Sequence, residues 1–254
     1  MFSSGLVSIS FRKFSPLEIV KLVSSAQLCA IEWGGDVHVP HGNLSKAEEV
    51  RGLTLDHGLE LAGYGSYYRA GKGDQEFEPV LETAVTLGAP SIRVWAGTIS
   101  SSEAVPEDTK RVTDDLRRIA ELAASAGISV SLEYHSCTLA DRLEPALSLM
   151  KEIAHPNLKT FWQPGIDRPV EVGLQEIAAF VPDLSAFHVF HWINRYERRP
   201  LEEGRDLWSR YFAAARQHPG RLFALLEFIM DDSPENFLKD AETLRRLLQE
   251  AWQP

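Results

Sequence analysis

Apolar and polar positions along the chain alternate between two kinds of stretch, namely short β-branched or aromatic runs and longer amphipathic runs. The clearest amphipathic run begins near Pro106 and ends before Gly127, with apolar residues at spacings of three and four that mark one face of a helix. This alternation is typical of βα units around a parallel sheet. Strands are predicted at 7–11, 30–33, 59–62, 91–95, 129–135, 158–162, 184–192 and 222–229, and helices at 16–26, 45–56, 77–87, 106–126, 141–153, 174–180, 206–217 and 234–252.

Eight βα units in 254 residues predict one α/β domain over residues 1–254, a single (β/α)8 TIM barrel rather than an open doubly wound sheet. In such a barrel the C-terminal ends of the strands meet at one mouth, where functional side chains collect. Glycines at 58, 88, 127 and 220 follow predicted helices and are expected to end them in a left-handed conformation. The glycine- and tyrosine-rich stretch 63–74 lacks the spacing of a phosphate-binding loop, and we expect a flexible lid.

Two carboxylates lie near the ends of apolar strands. Glu133 and His135 share one face of the strand 129–135, and Glu227 has a similar position in 222–229. A buried carboxylate is costly unless it has a partner or a metal. Structural ion pairs with Arg93 or His135 are one interpretation, but perturbed carboxylates in clefts favour a functional site.

Side chains at four predicted strand ends offer a mixed set of oxygen and nitrogen donors. Glu133, Gln163, His188 and Glu227 could hold a divalent metal, with Mn or Mg preferred and Co or Zn as further options. His188 and His191 lie three residues apart, so only one of them faces the barrel on a regular strand. A hydrogen-bonded core histidine is the alternative interpretation for either one.

Tryptophans also collect at the predicted strand ends. Trp33, Trp95, Trp162 and Trp192 could present aromatic faces to a sugar ring, although packing at the rim is the alternative for each of them. Arginines such as Arg93 could bind a phosphate or carboxylate group.

Bulk composition limits the partners of the protein. A net charge of −10 without a basic cluster argues against a nucleic-acid partner. No apolar run approaches the roughly 18 residues that span a bilayer, so no membrane partner is expected. Cys29 and Cys137 are too few for a disulfide framework, and the first residues lack a secretory signal. We expect a soluble cytoplasmic protein.

The order of several short motifs resembles the xylose isomerase-like barrel superfamily, in particular its sugar isomerase/epimerase branch. The resemblance implies that Glu133 and Glu227 bind a divalent metal and handle protons, that His188 is a metal ligand, and that His135 and Arg195 contact substrate. It is also compatible with a homodimer. The motifs are Ile31-Glu-Trp-Gly34, Ile92-Arg-Val-Trp95, Leu132-Glu-Tyr-His135, Phe161-Trp-Gln-Pro164, His188-Val-Phe-His191 and Leu226-Glu-Phe228.

The chain departs from this family at two positions. Gln163 stands where the family usually has an aspartate, and the frequent H-x-x-D pattern ends in His191. An amide oxygen can still bind a metal, but one negative charge is lost. The departure points to a lower metal affinity, another metal preference or a changed reaction.

The expected reaction is a metal-assisted proton transfer on a keto or aldehydo sugar through an enediolate, which makes the protein an isomerase or epimerase. One of Glu133 and Glu227 would remove the proton and the other would return one. The alternatives are a related sugar dehydratase or lyase and a non-catalytic sugar-binding barrel. An abasic-site endonuclease would need a basic DNA track that is absent. Predicted substrate contacts are Trp33, Arg93, Trp95, His135, His191 and Arg195.

Overall fold

The computed structural model describes residues 1–74, 76–166 and 168–251, and among them eight strands form a closed barrel. The predicted (β/α)8 fold is therefore confirmed. The barrel order is β1-β10-β7-β6-β5-β4-β3-β2, while β8 and β9 form a separate antiparallel pair. The strands are β1 Phe2–Val7, β2 Ala30–Gly34, β3 Glu60–Arg69, β4 Ser91–Trp95, β5 Ser129–Glu133, β6 Leu158–Trp162, β7 Leu184–Val189, β8 His191–Asn194, β9 Glu197–Arg199 and β10 Leu222–Leu226.

Several helix boundaries follow signals in the sequence, but the helix predicted to end at Gly220 ends at Ala214, and Gly220 is not in the left-handed conformation. Ser15 and Glu18 form a capping box before the first helix, in which the Ser15 N–H donates to the Glu18 carboxylate at 2.7 Å. Gly88 ends the third helix with φ of 77°, in the predicted left-handed conformation. The helices are α1 Pro16–Ser25, α2 Leu44–Asp56, α3 Glu78–Leu87, α4 Pro106–Ser125, α5 Leu143–Ile153, α6 Val170–Phe180, α7 Arg205–Ala214 and α8 Pro234–Glu250.

The chain divides into two compact units, which are described separately. The first unit contains residues 1–32, 52–60 and the described residues from 162 onward. In it, β1 pairs with β10 through Phe2↔Leu222 to Leu6↔Leu226, and β10 pairs with β7. Gly5 allows β1 to lie close to β2, because a Cβ there would be 2.5 Å from the Ala30 carbonyl oxygen.

The second unit contains residues 33–51 and 61–161. In it, β4 pairs with β5 through Arg93↔Ser131, and β5 pairs with β6 through Glu133↔Phe161. The long helix α4 buries the predicted apolar face, including Leu116 and Ile119. These pairings and helices fix the strand from which Glu133 projects.

Several predicted boundaries are wrong. The first strand covers 2–7 rather than 7–11, because Ser8–Phe11 forms a 3-10 helix. Residues 63–69 of the predicted lid belong to β3. The strand predicted over 184–192 ends at Val189, and the chain then forms the β8–β9 hairpin. The predicted helix end at Trp252 lies outside the described residues. No helix in the described part of the chain has the length and apolar character to cross a membrane.

Candidate active site

A buried imidazole lies between two carboxylates in the first unit. His188 of β7 has its Nδ1 atom 3.1 Å from Glu227 Oε2 and its Nε2 atom 3.8 Å from Glu32 Oε2. His188 and Glu32 are fully buried, and Glu227, which directly follows β10, is 4% exposed. We call Glu32, His188 and Glu227 the histidine cluster.

The surroundings of His188 favour its protonated form. Burial lowers the pKa of this imidazole, but the charges of Glu227 and Glu32 and their hydrogen bonds outweigh burial and raise the pKa to about 10. At neutral pH the ring is therefore an imidazolium, with Nδ1 facing Glu227 and Nε2 facing Glu32. The histidine cluster thus places a buried cation between two carboxylates.

A further buried carboxylate lies in the other unit. Glu133, at the end of β5, accepts hydrogen bonds at Oε2 from the guanidinium of Arg93 and from the indole N–H of Trp95. Arg93 and Glu133 are each 3% exposed, and Trp95 is half-buried. We call Arg93, Trp95 and Glu133 the arginine cluster. The ion pair weighed from the sequence as a structural alternative is therefore present.

His135 lies after the end of β5, next to the arginine cluster. Its ring centroid is 5.1 Å from that of Trp95, and its Nδ1 atom lies 2.6 Å from the Ser136 carbonyl oxygen. Because the ring is half-buried, His135 and Trp95 together form a partly accessible aromatic surface.

The other predicted tryptophans pack against protein. Trp33 is fully buried with its ring edge-on to His38, and Trp162 is fully buried and donates its indole N–H to Glu176 at 3.1 Å. Trp192 is half-buried against Phe228. In this structure, packing accounts for all three rings.

The remaining predicted residues lie outside the two clusters. Gln163 follows β6 and is half-buried. His191 is half-buried on β8, and burial lowers its pKa. Arg195 is exposed between β8 and β9. Glu32 was not among the predicted site residues, although the same signal that marked Glu133, a carboxylate inside an apolar strand, could have identified it.

The predicted metal ligands have the right chemistry for a divalent cation, and they belong to both units, with Gln163, His188 and Glu227 in the first and Glu133 in the second. The ring nitrogens of His188 face two carboxylates, and Glu133 is paired with Arg93 and Trp95. Among the described residues, no group of three or more His, Cys, Asp or Glu side chains is arranged to hold a metal ion.

Comparison with known proteins identifies related chains. The family model described as "Xylose isomerase-like TIM barrel" matches residues 20–247. A Bacillus anthracis protein named 3-dehydroshikimate dehydratase is 36% identical over 186 residues, which span 66% of this chain and 65% of that protein. The match therefore covers slightly less than two thirds of the relative.

Solved structures share the fold. A probable 3-DHS dehydratase of Bacillus anthracis superimposes with a TM-score of 0.80 at 23% identity, covering 96% of this chain and 99% of that one. A D-psicose 3-epimerase, solved with D-fructose, gives 0.68 at 17% identity and 98% coverage of both chains. A Mycobacterium smegmatis xylose isomerase-like TIM barrel protein in complex with magnesium gives 0.72 at 15% identity, covering 99% of this chain and 98% of that one.

The predicted isomerase class is wrong. The relative at 36% identity and the structure with the TM-score of 0.80 are both named as dehydratases, which are lyases. Isomerisation and dehydration can both begin with removal of a proton beside a carbonyl group. The next step depends on whether the substrate carries a hydroxyl that can leave, and the strand-end motifs do not contain that information.

Proposed function

We propose that this chain, which belongs to the xylose isomerase-like TIM barrel family, is a dehydratase that eliminates water from a hydroxylated cyclic ketone bearing a carboxylate. The first substrate to test is 3-dehydroshikimate. The observation that carries this proposal is the 36% identity to a protein named for that reaction. The histidine cluster supports it because elimination needs groups that both accept and return a proton.

The elimination breaks two bonds. A base takes the proton from the carbon beside the carbonyl group, and the electron pair of that bond forms a carbon–carbon double bond as the neighbouring hydroxyl leaves. The hydroxyl takes up one proton and departs as water, so the reaction needs no oxidant or reductant.

Glu227 is the proposed base. It is 4% exposed, whereas His188 is fully buried, so in this mechanism the carboxylate meets the substrate and the imidazolium does not. Glu227 accepts the proton and returns it to the leaving hydroxyl. His188, at 3.1 Å, orients the carboxylate, and Glu32 orients His188 from its other nitrogen.

Glu133 is proposed to act as a fixed charge, because Arg93 cannot give up its proton at any pH at which the protein is folded. The predicted substrate contacts Trp95 and His135 are both half-buried. The proposed residue roles are proton transfer and positioning, and no step is assigned to a metal ion.

The test is incubation of purified protein with 3-dehydroshikimate, followed by mass spectrometry for a product lighter by one water. Glu227→Gln should lower kcat by about 10²–10⁴-fold, the range of a lost general base. Glu121→Gln, on the exposed face of α4, is the matched control and should retain parental activity. Substrate recovered intact with the parent protein would contradict the reaction. Undiminished water loss in Glu227→Gln would contradict the role of that residue.

A further inference from the structure

Tyr67 has an unusual backbone conformation inside β3. Its φ of 58° lies in the left-handed region, which is unfavourable for a bulky side chain. The pairing of β3 with β4 jumps at this point from Gly65↔Arg93 to Tyr68↔Val94. Ser66 and Tyr67 are therefore extra residues in the ladder and form a β-bulge.

The bulge is held by a buried hydroxyl. Ser66 is fully buried, its Oγ donates to the Arg93 carbonyl oxygen at 2.7 Å, and the same oxygen accepts from the Tyr68 N–H at 3.2 Å. These bonds replace the ladder contacts that the two extra residues interrupt. The strained conformation is thus maintained by specific contacts, as is common for strain kept at functional sites.

The bulge brings the Tyr67 ring against both donors of the arginine cluster. The ring is edge-on to Trp95, with centroids 5.2 Å apart and planes at 87°. The Arg93 guanidinium carbon lies 5.5 Å from the centre of the same ring. Trp95 and Arg93 are also the two side chains that donate to Glu133 Oε2.

We propose that Tyr67 is a positioning residue that fixes Trp95 and Arg93 and, through them, the carboxylate of Glu133. The Tyr67 ring limits the rotation of the indole and guanidinium groups, so that both keep their N–H donors on one oxygen. The strain of the bulge is the cost of placing this ring. The inference concerns geometry within the second unit, and only its kinetic readout rests on the proposed function.

The direct test is hydrogen exchange of the Trp95 indole N–H, measured by NMR on protein with ¹⁵N-labelled tryptophan and assigned with Trp95→Phe. Tyr67→Ala removes the ring and should speed this exchange by about tenfold or more, because the hydrogen bond to Glu133 opens more often. Tyr67→Phe keeps the ring and should exchange within about twofold of the parent.

Tyr67→Gly distinguishes the effect of losing the ring from the effect of relieving the backbone strain. Glycine adopts positive φ without penalty, so this variant should unfold at a higher temperature than Tyr67→Ala. Because it also lacks the ring, its Trp95 exchange should be as fast as in Tyr67→Ala. Parental exchange in both ring-deleted variants, or equally fast exchange in Tyr67→Phe, would overturn the proposal.

Kinetics give a second readout. With a substrate that the parent dehydrates, Tyr67→Ala should lower kcat at nearly constant KM, and Tyr67→Phe should restore it. A fall in kcat that Tyr67→Phe does not restore would overturn the positioning role of the ring. If the parent dehydrates no substrate, the proposed function fails, while the exchange rates of Trp95 still decide the role of Tyr67.

Discussion

The histidine cluster and the arginine cluster both place a cation next to buried carboxylates, but the two cations differ. In the first, an imidazolium lies between Glu32 and Glu227, and in the second a guanidinium and an indole N–H donate hydrogen bonds to Glu133. An imidazole can lose its proton near neutral pH, whereas a guanidinium cannot. Burial alone therefore does not define the role of a carboxylate. The cationic side chain paired with the carboxylate determines whether a proton can be transferred or the charge stays fixed.

The largest expected effect comes from removing the cation of the histidine cluster. His188→Leu leaves two buried carboxylates without their imidazolium, and we expect a loss of about 5 kcal/mol in the free energy of unfolding at pH 8. Urea unfolding of parent and variant at pH 8 tests this, and a loss of less than about 1 kcal/mol would contradict the role of His188 as the cation that stabilises both carboxylates.

Removing the cation of the arginine cluster should have a slightly smaller effect. Arg93→Met leaves one buried carboxylate and should cost about 3 kcal/mol in urea unfolding. The double variant Arg93→Met with Glu133→Leu should recover most of that stability, since no buried charge remains. Arg117→Met, which removes a partly exposed arginine 3.5 Å from Asp114, is the control and should change stability by less than about 1 kcal/mol. A double variant as unstable as Arg93→Met would show that the ion pair is not the source of the loss.

The two clusters should also differ in their dependence on pH. The pKa of His188 is raised from 6.5 to about 10 in the folded protein, so its stabilising contribution is complete below pH 6.5 and is lost as the pH rises towards 10. The parent should therefore lose unfolding free energy across this window, and the double variant Arg93→Met with Glu133→Leu, which leaves no unpaired carboxylate in the arginine cluster, should lose it with the same slope. A His188→Gln variant should show a flatter profile. Parallel profiles for parent and His188→Gln would place the titrating group elsewhere.

The smallest expected effect is that of Trp95→Phe. This change removes one of the two donors to Glu133 but keeps an aromatic ring, so it should cost about 1–2 kcal/mol in unfolding free energy. The pH profile of stability should remain that of the parent, because no titrating group is removed. A loss as large as that of Arg93→Met would mean that the indole, and not the guanidinium, dominates the arginine cluster.

The sequence predicted the fold where local pattern and tertiary structure agree. The periodicity of α4 and the apolar run of β5 gave elements that the structure contains. The first strand was missed because Phe2–Val7 contains Ser3, Ser4 and Gly5, residue types that are rare in strands. Gly5 is needed there because a neighbouring backbone comes too close for a side chain, and this approach is a tertiary feature.

The carboxylates of the candidate site could be predicted from the sequence, whereas the side chains that contact them were harder to predict. Glu133 and Glu227 are visible as charges in apolar strands, but the contact of His188 with Glu227 depends on the register Leu225↔His188 between distant segments. The bulge at Tyr67 left no signal except the glycines and tyrosines that suggested a loop. The reaction class was missed because the leaving hydroxyl belongs to the substrate.

The pairing of β1 with β10 also governs how this chain can fold as it is synthesised. Residues 2–6 pair with residues 222–226, which are synthesised more than two hundred residues later. Until then this edge of β1 exposes unsatisfied N–H and C=O groups that other strands can capture. Contacts of such long sequence separation form slowly. Pairing of β1 with β10 is therefore the folding step before which chaperones would have the most exposed strand edge to protect.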